Sequence, residues 1–192
     1  MEPTNEKQKA WKECIDILNK KDLIVLETGR IRNPNWKNSD GNSTDYLTSL
    51  DCVSKLYSID NDSENFSGFK SSEEYCKKTL SNSQIEKIIF INGYSVDSIK
   101  NLEDNFFDVV LLDSVNDSEI IFQEFINVIP KLKLNSLVII DDVTNPGIKG
   151  DKVISFLNTN NIPFTKKTAN PADCIYFFID EKMIELIKKN LN

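Results

Sequence analysis

Leu23-Ile24-Val25-Leu26-Glu27-Thr28-Gly29-Arg30 decides the fold. An apolar run closes on an acid and a glycine. Further on, Asp40-Gly41-Asn42-Ser43-Thr44 supplies a second glycine and then residues that favour a helix start. The pattern is that of a buried strand passing through a loop into a helix. Such a loop brings bare backbone N–H groups close to a nucleotide-like ligand. Residues 31–39 split the loop. With Arg30, Arg32 and Trp36 in or beside it, the insert reads either as a lid over the ligand or as a plain surface loop.

The same grammar repeats along the chain. Lys55–Asp60 is a second strand closed by an acid, and Ile85–Ile91 a third, ended by Asn92-Gly93. Phe107–Leu112 is a continuous apolar run ended by Asp113, and Ser136–Ile140 a fifth strand ended by Asp141-Asp142. Helical spacing marks residues 5–20 (Ala10, Cys14, Ile17, Leu18), a segment capped by Asn42-Ser43-Thr44 and running to about Val53, and residues 73–80 and 95–102. It is strongest over 119–132 and returns over 150–158, after Pro146-Gly147. The apolar stripe of 119–132 reads as core. Residues 162–168 and 174–179 read as a hairpin turned at Asn170-Pro171-Ala172-Asp173, and residues 181–190 as a last helix.

Alternating strands and helices predict an α/β fold: a Rossmann-like, doubly wound, mostly parallel seven-stranded sheet with an antiparallel C-terminal hairpin and helices on both faces. Residues 1–192 are expected to form a single domain, with an N-terminal helix in 1–20, a core over 21–180 and a C-terminal helix in 181–192. Glu27, Asp60, Asn92, Asp113 and Asp141 all follow carboxyl ends of strands, the edge where open α/β sheets bind ligands.

Composition narrows the chemistry. The net charge of −7 argues against a nucleic-acid backbone or an anionic membrane as the main partner. No apolar run approaches the roughly 20 residues of a membrane span, and the polar start of the chain lacks a signal-peptide core. Cys14, Cys52, Cys76 and Cys174 form no C-x-x-C pair and read as buried thiols in a reducing cytoplasm. There is no histidine. Acid–base work therefore falls to other groups, and a metal site would be built of oxygen, favouring Mg²⁺ or Ca²⁺.

These residues resemble the class I S-adenosylmethionine-dependent methyltransferases from about Leu23 to Phe178. Glu27-Thr28-Gly29, followed by Arg30 and by Gly41-Asn42-Ser43, resembles the first motif, an acid before a glycine-rich turn. Asp60 stands where the family holds the ribose hydroxyls, and Asn92-Gly93-Tyr94-Ser95 where it lines the adenine. Asp113 stands beside the methionine end and the transferred methyl. Phe107–Asp113 and Val138–Asp142 resemble the small-molecule O-methyltransferases, of which the catechol and caffeoyl-CoA enzymes bind a divalent metal with acids after the fourth and fifth strands. A related bacterial branch often carries His-Asp where this chain has Asp141-Asp142, and another histidine near Asn116. Catechol-type enzymes have a catalytic lysine in the neighbourhood of Asn116.

The resemblance implies S-adenosylmethionine as cofactor, a small-molecule acceptor, and methyl transfer to a hydroxyl. Asp113, Asp141 and Asp142 would repel one another unless a cation lies between them. Mg²⁺ is the expectation on one reading, with Asn145 as a further oxygen ligand. On the other, one acid binds, one caps a helix and one is solvated. Asp113 or Asp142 is the candidate base. Ser95 reads as a helix cap, an adenine contact or both. Lys149 and Lys152 read as substrate contacts or as solvated surface lysines. Residues 5–20 offer a homodimer surface or a substrate lid. A nicotinamide-dependent oxidoreductase is the rival enzyme, although G-x-G-x-x-G and Tyr-x-x-x-Lys are both absent. A catalytically silent cofactor-binding module is the rival outside enzymes.

Overall fold

The computed structural model describes residues 2–30, 42–61, 69–144, 149–169 and 173–190. Gly41, the 31–39 insert, Asn145, Pro146-Gly147 and Asn170-Pro171-Ala172 lie outside the described residues.

The strands are β1 (Leu23–Thr28), β2 (Val53–Asp60), β3 (Ile88–Asn92), β4 (Phe107–Leu112), β5 (Leu132–Ile140), β6 (Thr165–Lys167) and β7 (Cys174–Phe178). They form one seven-stranded sheet in the order β3-β2-β1-β4-β5-β7-β6. The first five run parallel, and β7 pairs antiparallel with both β5 and β6. The chain winds outward from β1 in one direction, then returns to lay β4 against its other side. The β1/β4 boundary is therefore the topological switch point, where crevices open at the carboxyl ends of strands.

The helices are α1 (Glu6–Asp16), α2 (Ser43–Ser49), α3 (Ser72–Thr79), α4 (Asn82–Ile85), α5 (Ser95–Lys100), α6 (Ser118–Val128), α7 (Asp151–Thr159) and α8 (Glu181–Asn190). Side-chain caps define several starts. Asn5 accepts from the Gln8 N–H, Ser71 from the Glu74 N–H, and Asp117 from the Glu119 and Ile120 N–H groups. α6 ends earlier than its apolar stripe, because Pro130 has no N–H and the chain tightens into a 3-10 turn over Ile129–Lys131.

Alternate residues of the central strands bury opposite faces of the sheet. Leu26, Val110 and Val138 pack under α6 and α7 with Phe125, Val153 and Leu157. Val25, Val109, Leu137 and Ile139 pack under α1 and α2 with Trp11, Cys14 and Tyr46. β4 is buried at every position, as a strand covered on both faces must be.

The main differences from the sequence reading are at element ends. β5 starts four residues earlier than Ser136. The interruption that hid this is Asn135, in left-handed backbone at φ 61°. α4 occupies the gap between the expected helix over 73–80 and the expected third strand, taking only Ile85 from that strand. It is one turn fixed by a capping box between Ser81 and Gln84. No helix among the described residues is long and apolar enough to cross a membrane.

Candidate functional site

The parallel register aligns the strand ends. Thr28 pairs with Ile59 on one side and Leu112 on the other, and Asp60 pairs with Asn92. The polar residues that follow therefore share one edge, in two groups on either side of the switch point.

The first group gathers at the ends of β1, β2 and β3. Glu27 is fully buried, and its Oε1 accepts from Thr44 Oγ1 at 2.5 Å and Ser58 Oγ at 2.6 Å. Its Oε2 has no hydrogen-bond partner among the described residues. Burial pushes the Glu27 carboxyl upward, opposed by the hydroxyl donors and the Arg30 charge. Arg30 turns inward and is 3% exposed. Its Nη2 donates to the carbonyls of Ser58 (2.8 Å) and Ile91 (2.9 Å) and to Asn92 Oδ1 (3.2 Å). The guanidinium also lies 5.2 Å from the centre of the Phe90 ring. Asp60 Oδ2 accepts from Ser72 Oγ at 2.8 Å, and Asn92 Nδ2 donates to Glu73 Oε2 at 2.8 Å. α3 thus closes over the Asp60 side of the edge.

Asn42 caps α2 by backbone position only. It sits at φ 48°, and its side chain makes no cap hydrogen bond. Ser43 is the first helical residue and is buried. Gly93 turns the chain after β3, and Tyr94 is 71% exposed at the rim. Ser95 is not the cap of α5. Tyr94 holds that position, and the Ser95 hydroxyl instead donates to Glu124.

Gly29 joins the two groups. Its backbone is left-handed at φ 86°, and a Cβ there would fall 2.5 Å from the Asp113 carbonyl oxygen. The Asp113 N–H in turn donates to the Thr28 carbonyl at 3.1 Å.

The second group gathers at the ends of β4 and β5. Asp113, Asp141 and Asp142 each present a carboxylate oxygen, these atoms lying within 4.8 Å of one another. Asp142 reaches the cluster from left-handed backbone at φ 54°. Positive charge does lie between the acids, as the repulsion argument requires. It is carried by two lysines. Lys7 of α1 donates to Asp141 Oδ2 at 2.8 Å and Asp142 Oδ1 at 2.7 Å. Lys149, just before α7, donates to Asp113 Oδ1, and to Asp142 Oδ2 at 3.1 Å. Both lysine side chains are buried, Lys149 completely. Asp141 is also fully buried, and its Oδ1 has no partner among the described residues.

The pKa directions follow from this packing. Burial and the neighbouring Asp113 charge push Asp141 well above the usual carboxylate range, against the pull of Lys7. Burial also opposes charge on Asp142, but Lys149 and Lys7 outweigh it and hold that carboxyl low. Desolvation would lower both lysines, yet the acids around them raise them.

Beneath both groups lies a residue the sequence reading absorbed into the core stripe. Glu124 of α6 is fully buried. It accepts from Thr28 Oγ1 at 2.9 Å, Ser114 Oγ at 2.5 Å and Ser95 Oγ. One carboxylate therefore ties together the end of β1, the start of α5 and the loop after β4. Burial raises its pKa and the three hydroxyls oppose this. The signal was available: Glu124 falls on the helix face of Ile121, Phe125 and Val128. Lys7 carried a similar signal, in line with Ala10, Trp11 and Cys14 on the buried face of α1. Lys149 is neither solvated nor at the surface, whereas Lys152 is half exposed and pairs with Glu119.

No family model matches the sequence, and no curated protein matches it. Solved structures do match its fold, which is the Rossmann-like fold of class I methyltransferases. The O-methyltransferase from Bacillus cereus, solved with SAH, has a TM-score of 0.64 at 13% identity, over 94% of this chain and 82% of that one. An rRNA methylase from Streptococcus thermophilus has a TM-score of 0.61 at 14% identity, over 94% and 98%. The MycE methyltransferase of the mycinamycin biosynthetic pathway, solved with Mg and SAH, has a TM-score of 0.57 at 14% identity, over 86% of this chain and 47% of that one.

Proposed function

We propose that the protein transfers a methyl group from S-adenosylmethionine to a hydroxyl of a small acceptor at this edge of the sheet. The observation that carries the reading is the alignment of Glu27, Asp60, Asn92 and Asp113 along one strand edge, across the switch point of a methyltransferase fold. The cofactor fits the residues present. The buried Glu27 Oε2, without a partner among the described residues, calls for a donor. When bound, the cofactor supplies a methyl already made electrophilic by its sulfonium.

The protein's part is alignment and proton removal. Asp60 would receive the ribose hydroxyls, with Asn92, Gly93, Tyr94 and Ser95 bordering the base. Glu27, Thr28, Gly29, Arg30, Asn42 and Ser43 shape the wall on the β1 side. Asp113 and Asp142 lie on the acceptor side; Lys7 and Lys149 hold Asp142 low, so Asp113 is the carboxylate to accept the hydroxyl proton as the acceptor oxygen attacks the methyl. Lys149 spans both of these acids, so its ammonium would stabilise the developing oxyanion.

A divalent ion does not fit this arrangement. Asp113 Oδ1, Asp141 Oδ2 and both oxygens of Asp142 already accept from ammonium groups. The reaction is therefore derived without one. The net charge of −7 favours a small acceptor over RNA.

Calorimetry should detect binding of S-adenosylmethionine or its demethylated product, and Asp60→Ala should weaken it. Absence of binding by either ligand would overturn the cofactor assignment. Transfer of labelled methyl across hydroxylated small molecules, with RNA as a parallel acceptor, tests the acceptor class.

A further inference from the structure

We propose that Lys7 and Lys149 together replace a divalent cation, so that the acid cluster is a metal-free centre held by the chain's own ammonium groups. The inference concerns the acids and lysines alone and stands apart from the methyl-transfer reading.

Connectivity is the first argument. Lys7 bridges Asp141 and Asp142, and Lys149 bridges Asp142 and Asp113. The five groups form one continuous chain with Asp142 at its middle. A cation at the centre of three carboxylates would make the same links through one atom. Charge is the second argument. Two ammonium groups offset three carboxylates to the same net charge as one divalent ion. Burial is the third. Lysines are among the residues least often buried without a partner, and desolvating two is costly unless acids compensate. Here both are sequestered, from segments far apart in the chain, and they meet on the same acid.

The ammonium groups differ from an ion in one useful way. Each has three N–H donors and directs two at the acids. The third is left for an oxygen brought up to the cluster, with no ligand exchange needed. The centre is thus suited to an anionic or ionisable oxygen, and it does not depend on metal supply.

Mn²⁺ binding to the full-length protein, followed by the loss of the free-ion electron paramagnetic resonance signal, tests this directly. The wild type should leave the signal unchanged. Lys7→Met/Lys149→Met should remove it stoichiometrically, and added Mn²⁺ should raise that variant's melting temperature. Where the double variant does not fold, Lys149→Gln carries the test, and it should show Mn²⁺ binding that the wild type lacks. A wild type that binds Mn²⁺, with binding lost in Asp141→Asn, would overturn the proposal. So would lysine variants that fold and bind no ion. S-adenosylmethionine binding, measured on the same samples, reports separately on the methyl-transfer reading.

Discussion

The two halves of the strand edge solve the problem of buried polarity differently. On the β1–β2–β3 side, the Glu27 and Asp60 carboxylates accept from neutral hydroxyls, and one arginine donates to two strand carbonyls and to Asn92. On the β4–β5 side, three carboxylates are met by two lysines. The first half is organised around a loop that follows β1 immediately. The second is closed by residues from far away, with Lys7 and Asp141 separated by 134 positions. A hydrogen-bonded wall can lose one partner and keep most of its shape. A buried cluster of full charges cannot, because each unpaired charge carries its desolvation cost alone.

The largest expected effect lies on the charged side. Lys149→Met leaves Asp113 and Asp142 short of a counter-charge and should cost about 3–5 kcal/mol in urea unfolding. A loss well under that would mean that water already shares the cluster, and the contrast between the halves would dissolve. On the hydrogen-bonded side, Arg30→Met removes donors from two strand carbonyls and Asn92. It should cost less, about 1–3 kcal/mol, and should weaken S-adenosylmethionine binding in calorimetry.

Glu124 sits under both halves and sharpens the comparison through pH. Its folded-state pKa is raised above the ordinary 4.5, so above that pH the folded state holds a proton more firmly than the unfolded chain. Its contribution to stability is fully present below 4.5 and is lost as pH rises through the folded value. Glu124→Gln should remove this fall. The melting temperature of the variant relative to wild type should climb as pH rises from 4.5, and a constant difference would contradict the burial argument. The smallest effect belongs to the exposed pair Lys12–Asp16. Lys12→Ala should leave the unfolding midpoint within error.

Much of this architecture was legible in the sequence for a simple reason. An apolar run that ends in an acid marks both a buried strand and its solvent-facing end, so Asp60, Asp113 and Asp141 announced the edge and its contents together. Partners were harder to read. The acids of the second cluster demanded a cation, but nothing local to Asp141 points to Lys7. Only the face of α1 did, where a lysine sits in register with Ala10 and Trp11. Glu124 was hidden in the same way, as one acid in an apolar stripe. Ser95 shows the converse. A serine opening a helix reads as a cap, yet its hydroxyl is drawn to the buried Glu124. Strand ends are local properties of sequence, whereas charge partners are properties of the folded sheet.

Gly29 bears on how distant relatives can be recognised. The absence of a side chain there is demanded by the Asp113 backbone, which no substitution at any other position can move aside without parting β1 from β4. Acids can trade places with amides, and lysines with ions, while the chemistry is retuned. This glycine has no such substitute. A diverged chain that keeps β1 against β4 in this register is expected to keep a glycine here, and an alignment can be counted outward from it.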